Sequence, residues 1–163
     1  MDFPKRKPTR LKGFNYSSHG AYFITICTKN KANMLCRVVG GGAFDAPQIN
    51  LTSIGKIVEK YILSTNNISN VTVDKYVIMP NHIHMIIFVD NADGMSRAPS
   101  PTNEVIPHLV STLKRFVNLD VSENIFQRSY NDHIIRDYKG YYTKWKYIDD
   151  NPAKWAEDKY YCE

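Results

Sequence analysis

The chain has 163 residues, 43% hydrophobic and 23% charged, the make-up of one globular domain (1–163) long enough to bury a core. No apolar run approaches the ~20 residues of a membrane span, and the basic start MDFPKRKPTRLKG lacks the apolar stretch of a secretory signal. Lys and Arg outnumber Asp and Glu by 21 to 16, a balance that suits a polyanionic partner, and with no apolar span no membrane partner is expected.

In chain order, residues 1–20 form a basic arm carrying Lys5, Arg6, Arg10 and Lys12 between Pro4 and Pro8. Residues 21–28 (AYFITICT) are β-branched and aromatic and predict a strand. Residues 30–50, with Gly40, Gly41, Gly42 and Pro47, read as a long connection with one short strand at 37–39. A helix is expected over 52–66, where Ile54, Ile57, Val58, Tyr61 and Ile62 recur at helical spacing behind a Thr/Ser cap. Residues 71–79 and 82–89 are two strands joined by Pro80–Asn81, which predicts an antiparallel hairpin. Apart from its histidines the second strand is apolar throughout, so it should lie mid-sheet with both faces covered. Residues 90–107 read as a Pro/Ser/Asn-rich linker within the domain.

Pro107 opens a helix to 119 with a Leu109, Val110, Leu113, Phe116 and Val117 stripe, leaving Lys114 and Arg115 facing outward. Residues 125–136 read as irregular chain or a short edge strand. A last helix covers 139–151 and stops at Pro152. Its apolar stripe is Tyr138, Tyr141, Trp145 and Ile148, and the elements together predict an α+β sandwich on an antiparallel sheet. The three cysteines Cys27, Cys36 and Cys162 make no zinc spacing, and an odd count suits a reducing cytoplasm.

Tyrosine is the unusual residue, eleven against seven Phe and two Trp. Tyr147 does not belong to the stripe of its helix; it shares a face with Lys144 and Asn151. His82 and His84, two apart in a strand, leave the same face of the sheet. Hydrogen bonds to backbone or water are the ordinary way to keep such a pair, and a divalent metal is the other. Two histidines and one neutral oxygen, with no protein carboxylate, would leave a metal its full charge and open positions for an anionic substrate. A positioned tyrosinate can then attack a phosphodiester, with Lys144 lowering the phenol pKa or holding the phosphate.

Other His-x-His chemistries fit less well: a histidine triad needs a third alternating His where Ile86 stands, and no Glu follows within residues 85–89 for a cupin-like site. The run YVIMPNHIHMIIF at 76–88, with GFNYSSHGAYFITICT before it and QRSYNDHIIRD and YIDDNPAKW after it, resembles the single-tyrosine HUH transposases, most closely the REP-associated tyrosine transposases. The resemblance spans roughly residues 10–155. It implies a ferredoxin-like or RRM-like sandwich, with helices on an antiparallel sheet that carries the His-x-His strand. It implies a reaction as well: nicking and rejoining of single-stranded DNA beside a hairpin through a 5′-phosphotyrosine. By position, Tyr147 matches the nucleophile, and His82, His84 and Asn151 match the ligands of Mg2+ or Mn2+. With DNA as the partner, Lys5, Arg6, Arg10 and Lys12 of the arm, Lys114 and Arg115, and Lys144 are the expected contacts. Family members work as dimers or as monomers, so a homodimer is one of two open states, and the expected location is cytoplasmic and nucleoid-associated. The rival from another class is a domesticated DNA-binding protein of the same fold that does not cut.

Overall fold

The computed structural model describes residues 19–41, 46–90 and 104–162. The expected DNA contacts Lys5, Arg6, Arg10 and Lys12, and most of the 90–107 linker, lie outside these residues. Six strands and three α-helices follow one another as β1 (Gly20–Cys27), β2 (Cys36–Val39), β3 (Gln48–Leu51), α1 (Ser53–Ser64), β4 (Val71–Met79), β5 (His82–Val89), α2 (Val105–Val121), β6 (Asn131–Ile135) and α3 (Tyr138–Asp150). The mixed α+β architecture is the expected one. Its main sheet is antiparallel, in the order β4-β5-β1-β6, and β2 and β3 pair as a separate ribbon. No helix among the described residues is long and apolar enough to cross a membrane.

The central position of β5 explains its composition. Ile83, Met85 and Ile87 point into a core with Tyr22, Ile24 and Ile26 of β1, Val58 and Ile62 of α1, and Leu109, Val110 and Leu113 of α2. Ile86 points the other way, into a second cluster with Phe23, Val77, Met79 and Ile148 of α3. Two covered faces need apolar residues at every position, so the histidines in this strand stand out.

Elsewhere the differences are local. β3 was not expected, because a four-residue strand of alternating polar and apolar residues beside Pro47 is too short to show a period. α2 begins two residues before Pro107, whose missing N–H falls in the first turn where no intrahelical partner exists. α3 starts where the Asp137 side chain accepts a hydrogen bond from Gly140 N at 2.6 Å. Tyr138 leaves the predicted stripe: at the first helical position it is 78% exposed.

The start of α1 sits directly on another backbone. Thr52 caps it, accepting from Gly55 N at 3.0 Å while its own Oγ1 donates to Met34 O at 2.7 Å. A Cβ at Gly55 would run into the Leu35 carbonyl. Gly55→Ala should therefore destabilise by about 3 kcal/mol, although the same change in a free helix gains about 1 kcal/mol. Urea unfolding measures this; a gain would show that the Leu35 backbone yields.

Candidate functional site

His82 and His84 leave β5 beside the Pro80–Asn81 turn, on the face that α3 covers. Both are buried, and their rings meet edge-on with centroids 4.5 Å apart. The sheet register sets Cys27 opposite His82 and Thr25 opposite His84. Each Nδ1 is therefore occupied: His82 Nδ1 lies 2.9 Å from Asn81 Oδ1, and His84 Nδ1 lies 2.8 Å from Thr25 Oγ1. The Asn81 amide is oriented by its Nδ2, which donates to Lys31 O and Tyr160 O at 3.3 and 2.8 Å. Its oxygen accepts from His82, which puts that ring's proton on Nδ1 and a lone pair on Nε2.

Burial pushes His82 down to about 4, opposed by Asp158 and the Asn151 amide, and pushes His84 well below its ordinary value. Both rings are thus neutral at pH 7. Both Nε2 atoms are buried without a hydrogen-bond partner, an arrangement that is costly unless something else engages them.

α3 brings the second half of the site. Tyr147 lies edge-on to His84 at 5.2 Å, and Phe23 fills the space between, stacked on His84 at 5.1 Å and 6.0 Å from Tyr147. Asn151, one turn on, is buried; its Nδ2 donates to Asp158 Oδ2 at 2.8 Å and its Oδ1 has no partner. The Tyr147 hydroxyl donates to the same Asp158 oxygen at 3.3 Å. His82, His84, Tyr147 and Asn151 thus come together within one chain.

Asp158 corrects the expectation of a site free of carboxylate. Ligand atoms of His82, His84 and Asp158 all lie within 4.8 Å of one another. The residue follows the Trp155–Glu157 turn, and its Oδ1 accepts from Tyr160 N at 2.7 Å. Tyr160 covers the histidines, 4.5 Å from His82 and 5.8 Å from His84. Neither Asp158 nor Tyr160 had any periodic signal, and Thr25 becomes visible only through the register of β1. Two neutral imidazoles, an amide oxygen and a carboxylate make a mixed N/O donor set that could hold a divalent metal ion.

The electrostatics of the phenol also differ from expectation. Its pKa is pushed up to about 12, first by burial and then by Asp158 and Tyr160. Lys144 does not act on it: its ammonium lies 4.8 Å from the Phe23 ring centroid and bears on His84 and His133 instead. Asp158→Asn should therefore move the Tyr147 pKa from about 12 back towards 10, read as a difference in phenolate absorbance against Tyr147→Phe. An unmoved titration would mean that burial alone sets it.

The remaining expectations divide. Lys114 does not face outward; its Nζ donates to the carbonyls of Gln127, Arg128 and Ser129 at 2.8, 3.4 and 3.0 Å, and burial lowers it to about 8. A lysine beside the apolar stripe curls its long stem back onto the neighbouring loop, whose carbonyls need donors. Arg115 is exposed, as expected, with its guanidinium 5.3 Å from the Phe116 ring centroid. His133 is exposed and opposite Phe23. A cavity of about 290 Å³ opens beside the phenol, between Tyr147, Asn151, Asp158 and Lys159.

No protein-family model matches the chain. An uncharacterised protein of Haemophilus influenzae is 33% identical, over 97% of this chain and 94% of its own length. Among solved structures, a REP-associated tyrosine transposase bound to a REP hairpin superposes with a TM-score of 0.62 at 19% identity, over 98% of this chain and 77% of that one. That likeness is one of fold.

Proposed function

The chain belongs to the same family as the uncharacterised Haemophilus influenzae protein, and we propose that it is a single-tyrosine HUH transposase: a metal-dependent endonuclease and strand transferase on single-stranded DNA beside a hairpin. One observation carries this reading. Two neutral histidine Nε2 atoms and the Asn151 amide oxygen are buried with no partner, next to a tyrosine on the facing helix. Structural histidines are ordinarily satisfied; these are held by their Nδ1 atoms with the other nitrogen kept free.

His82, His84 and Asn151 would hold Mg2+ or Mn2+, with the Asp158 carboxylate within reach. The bound ion supplies charge to polarise the non-bridging oxygens of a phosphodiester and stabilise the leaving oxygen. The protein's own residues do the rest. Phe23 and His84 fix the Tyr147 ring, so its hydroxyl is presented in one direction. Asp158 Oδ2 accepts the phenol's hydrogen bond and is the nearest acceptor for its proton. Tyr147 Oη forms a bond to phosphorus while the P–O3′ bond breaks and the departing O3′ takes a proton from water, giving a 5′-phosphotyrosine and a free 3′-OH. A second 3′-OH then attacks the same phosphorus and releases the tyrosine, so the energy of the phosphodiester is conserved.

The test is incubation of the full chain with a hairpin carrying a single-stranded flank, in Mn2+ or Mg2+. A protein–DNA adduct that survives denaturing electrophoresis is expected. Stable binding without an adduct, across metals and flank sequences, would overturn the catalytic reading in favour of a non-cutting DNA-binding protein.

A further inference from the structure

Asn81 is buried and bonds at once to the histidine pair and to the C-terminal segment. Its backbone is pinned. Asn81 O accepts from Thr28 N and Thr28 Oγ1 at 2.9 and 3.0 Å, and Pro80 O accepts from Met34 N and Leu35 N, both at 2.9 Å. The side-chain oxygen serves His82 Nδ1 at 2.9 Å. The Nδ2 group faces Lys31 O, Tyr160 O and Cys162 Sγ at 3.3, 2.8 and 3.2 Å. Tyr160 and Cys162, both in the C-terminal segment, thus supply acceptors to it.

These acceptors decide which way round the amide sits. A carbonyl oxygen only accepts, so a flipped amide would set Oδ1 against the carbonyls of Lys31 and Tyr160. It would also turn the NH2 towards His82, which demands a bare Nδ1 and moves that ring's proton to Nε2, where it blocks a metal. Thr25 makes no such choice for His84. Its hydroxyl, 2.8 Å from His84 Nδ1, turns to donate or to accept and so suits either tautomer. Residue 162 is itself held in place. Asn33 Nδ2 donates to Cys162 O at 3.0 Å, and the Cys162 thiol donates to Lys31 O at 3.1 Å.

We infer that Asn81 is a positioning residue that couples the C-terminal segment to the metal site. Docking of residues 160–162 holds the amide in one sense, the amide holds the His82 proton on Nδ1, and Nε2 is left ready for a divalent ion. That an ion binds there rests on the function proposed above; the choice of tautomer rests on the hydrogen bonds alone. Such linkage is reciprocal, so an ion on His82 favours the docked segment by the same factor.

Two readouts on the full chain test this at neutral pH. Ring-nitrogen NMR shifts of His82 in the metal-free protein tell a protonated Nδ1 from a protonated Nε2, and isothermal titration measures Mn2+ affinity. Wild type should show the Nδ1 form alone. Asn81→Ala should spread the proton over both nitrogens and weaken Mn2+ binding by about 10- to 100-fold. Asn81→Asp keeps an acceptor for the Nδ1 proton and should restore both the tautomer and most of the affinity. Asn33→Ala/Cys162→Ala releases residue 162 without touching a ligand. It should mix the tautomers and weaken Mn2+ binding about threefold or more, with no further loss in the Asn81→Ala background. A pure Nδ1 form in Asn81→Ala would overturn the inference, and so would equal losses from the tail pair with and without Asn81. Should Asn81→Ala fail to fold, the tail pair decides: an unmixed Nδ1 form overturns the coupling. Tautomers that shift as expected in a protein whose wild type binds no Mn2+ would overturn the metal reading alone. Mn2+ binding by wild type with tautomers unmoved in the variants would overturn the coupling alone.

Discussion

Tyr147→Phe is expected to abolish the denaturation-resistant adduct completely while leaving hairpin affinity within about twofold of wild type. Phenylalanine keeps the edge-on ring contact with His84 at 5.2 Å and the packing against Phe23 at 6.0 Å. What it removes is one hydroxyl, whose hydrogen bond to Asp158 is long, at 3.3 Å, and lies at a residue 36% exposed. The expected stability cost is within about 1 kcal/mol, so lost chemistry cannot be mistaken for lost folding. Tyr160 is the informative control, because it lies close to both histidines but its ring is not on the facing helix. An adduct that persists in Tyr147→Phe and disappears in Tyr160→Phe would transfer the nucleophile to the tail.

His84→Ala, or His84→Gln as a substitution that fills the site better, should weaken Mn2+ binding by on the order of 100-fold or more and remove the adduct with it. The pH dependence separates a ligand from a structural histidine. Because burial holds His82 near 4, protons do not compete for its Nε2 at neutral pH, and metal affinity should stay level from about pH 8 to about pH 6. The metal-free protein should be acid-labile. Unfolding lets the ring take a proton at its ordinary 6.5, so the stability from His82 is fully present above that pH and is lost as pH falls towards about 4. Isothermal titration at several pH values, with acid unfolding of the metal-free protein, measures both. Metal binding unchanged in both His84 variants would mean that the pair is structural.

The sequence made β4, the two-residue turn and β5 legible to the residue, because two long apolar strands around Pro80–Asn81 have a strong local signature. It also put His82 and His84 on one face, since parity in a strand is geometry rather than context. Asn151 and Tyr147 share a helix face for the same reason. What it did not give was the partner of each group. Thr25 supports His84 only through a pairing 59 residues away, and Asp158 arrives on a segment without any period. Lys114 was misread because helical position sets where Cβ points, whereas a four-carbon stem can turn back on a neighbouring loop.

The strand order β4-β5-β1-β6 has a consequence in time as well as in space. The β4–β5 hairpin closes through two residues, and such hairpins form in about 1–10 μs. β1, placed between β5 and β6, has to find Ile83 from Ile26 and Ile135 from Ala21, pairings that span much of the chain. The histidine strand can thus exist early as half of a hairpin, with both rings wet and able to take protons. Thr25 reaches His84, and water leaves the imidazoles, only when the slowest long-range pairing is complete. If β1 pairing is the slow step, the folding rate would then decide how soon a newly made chain could take up the proposed metal.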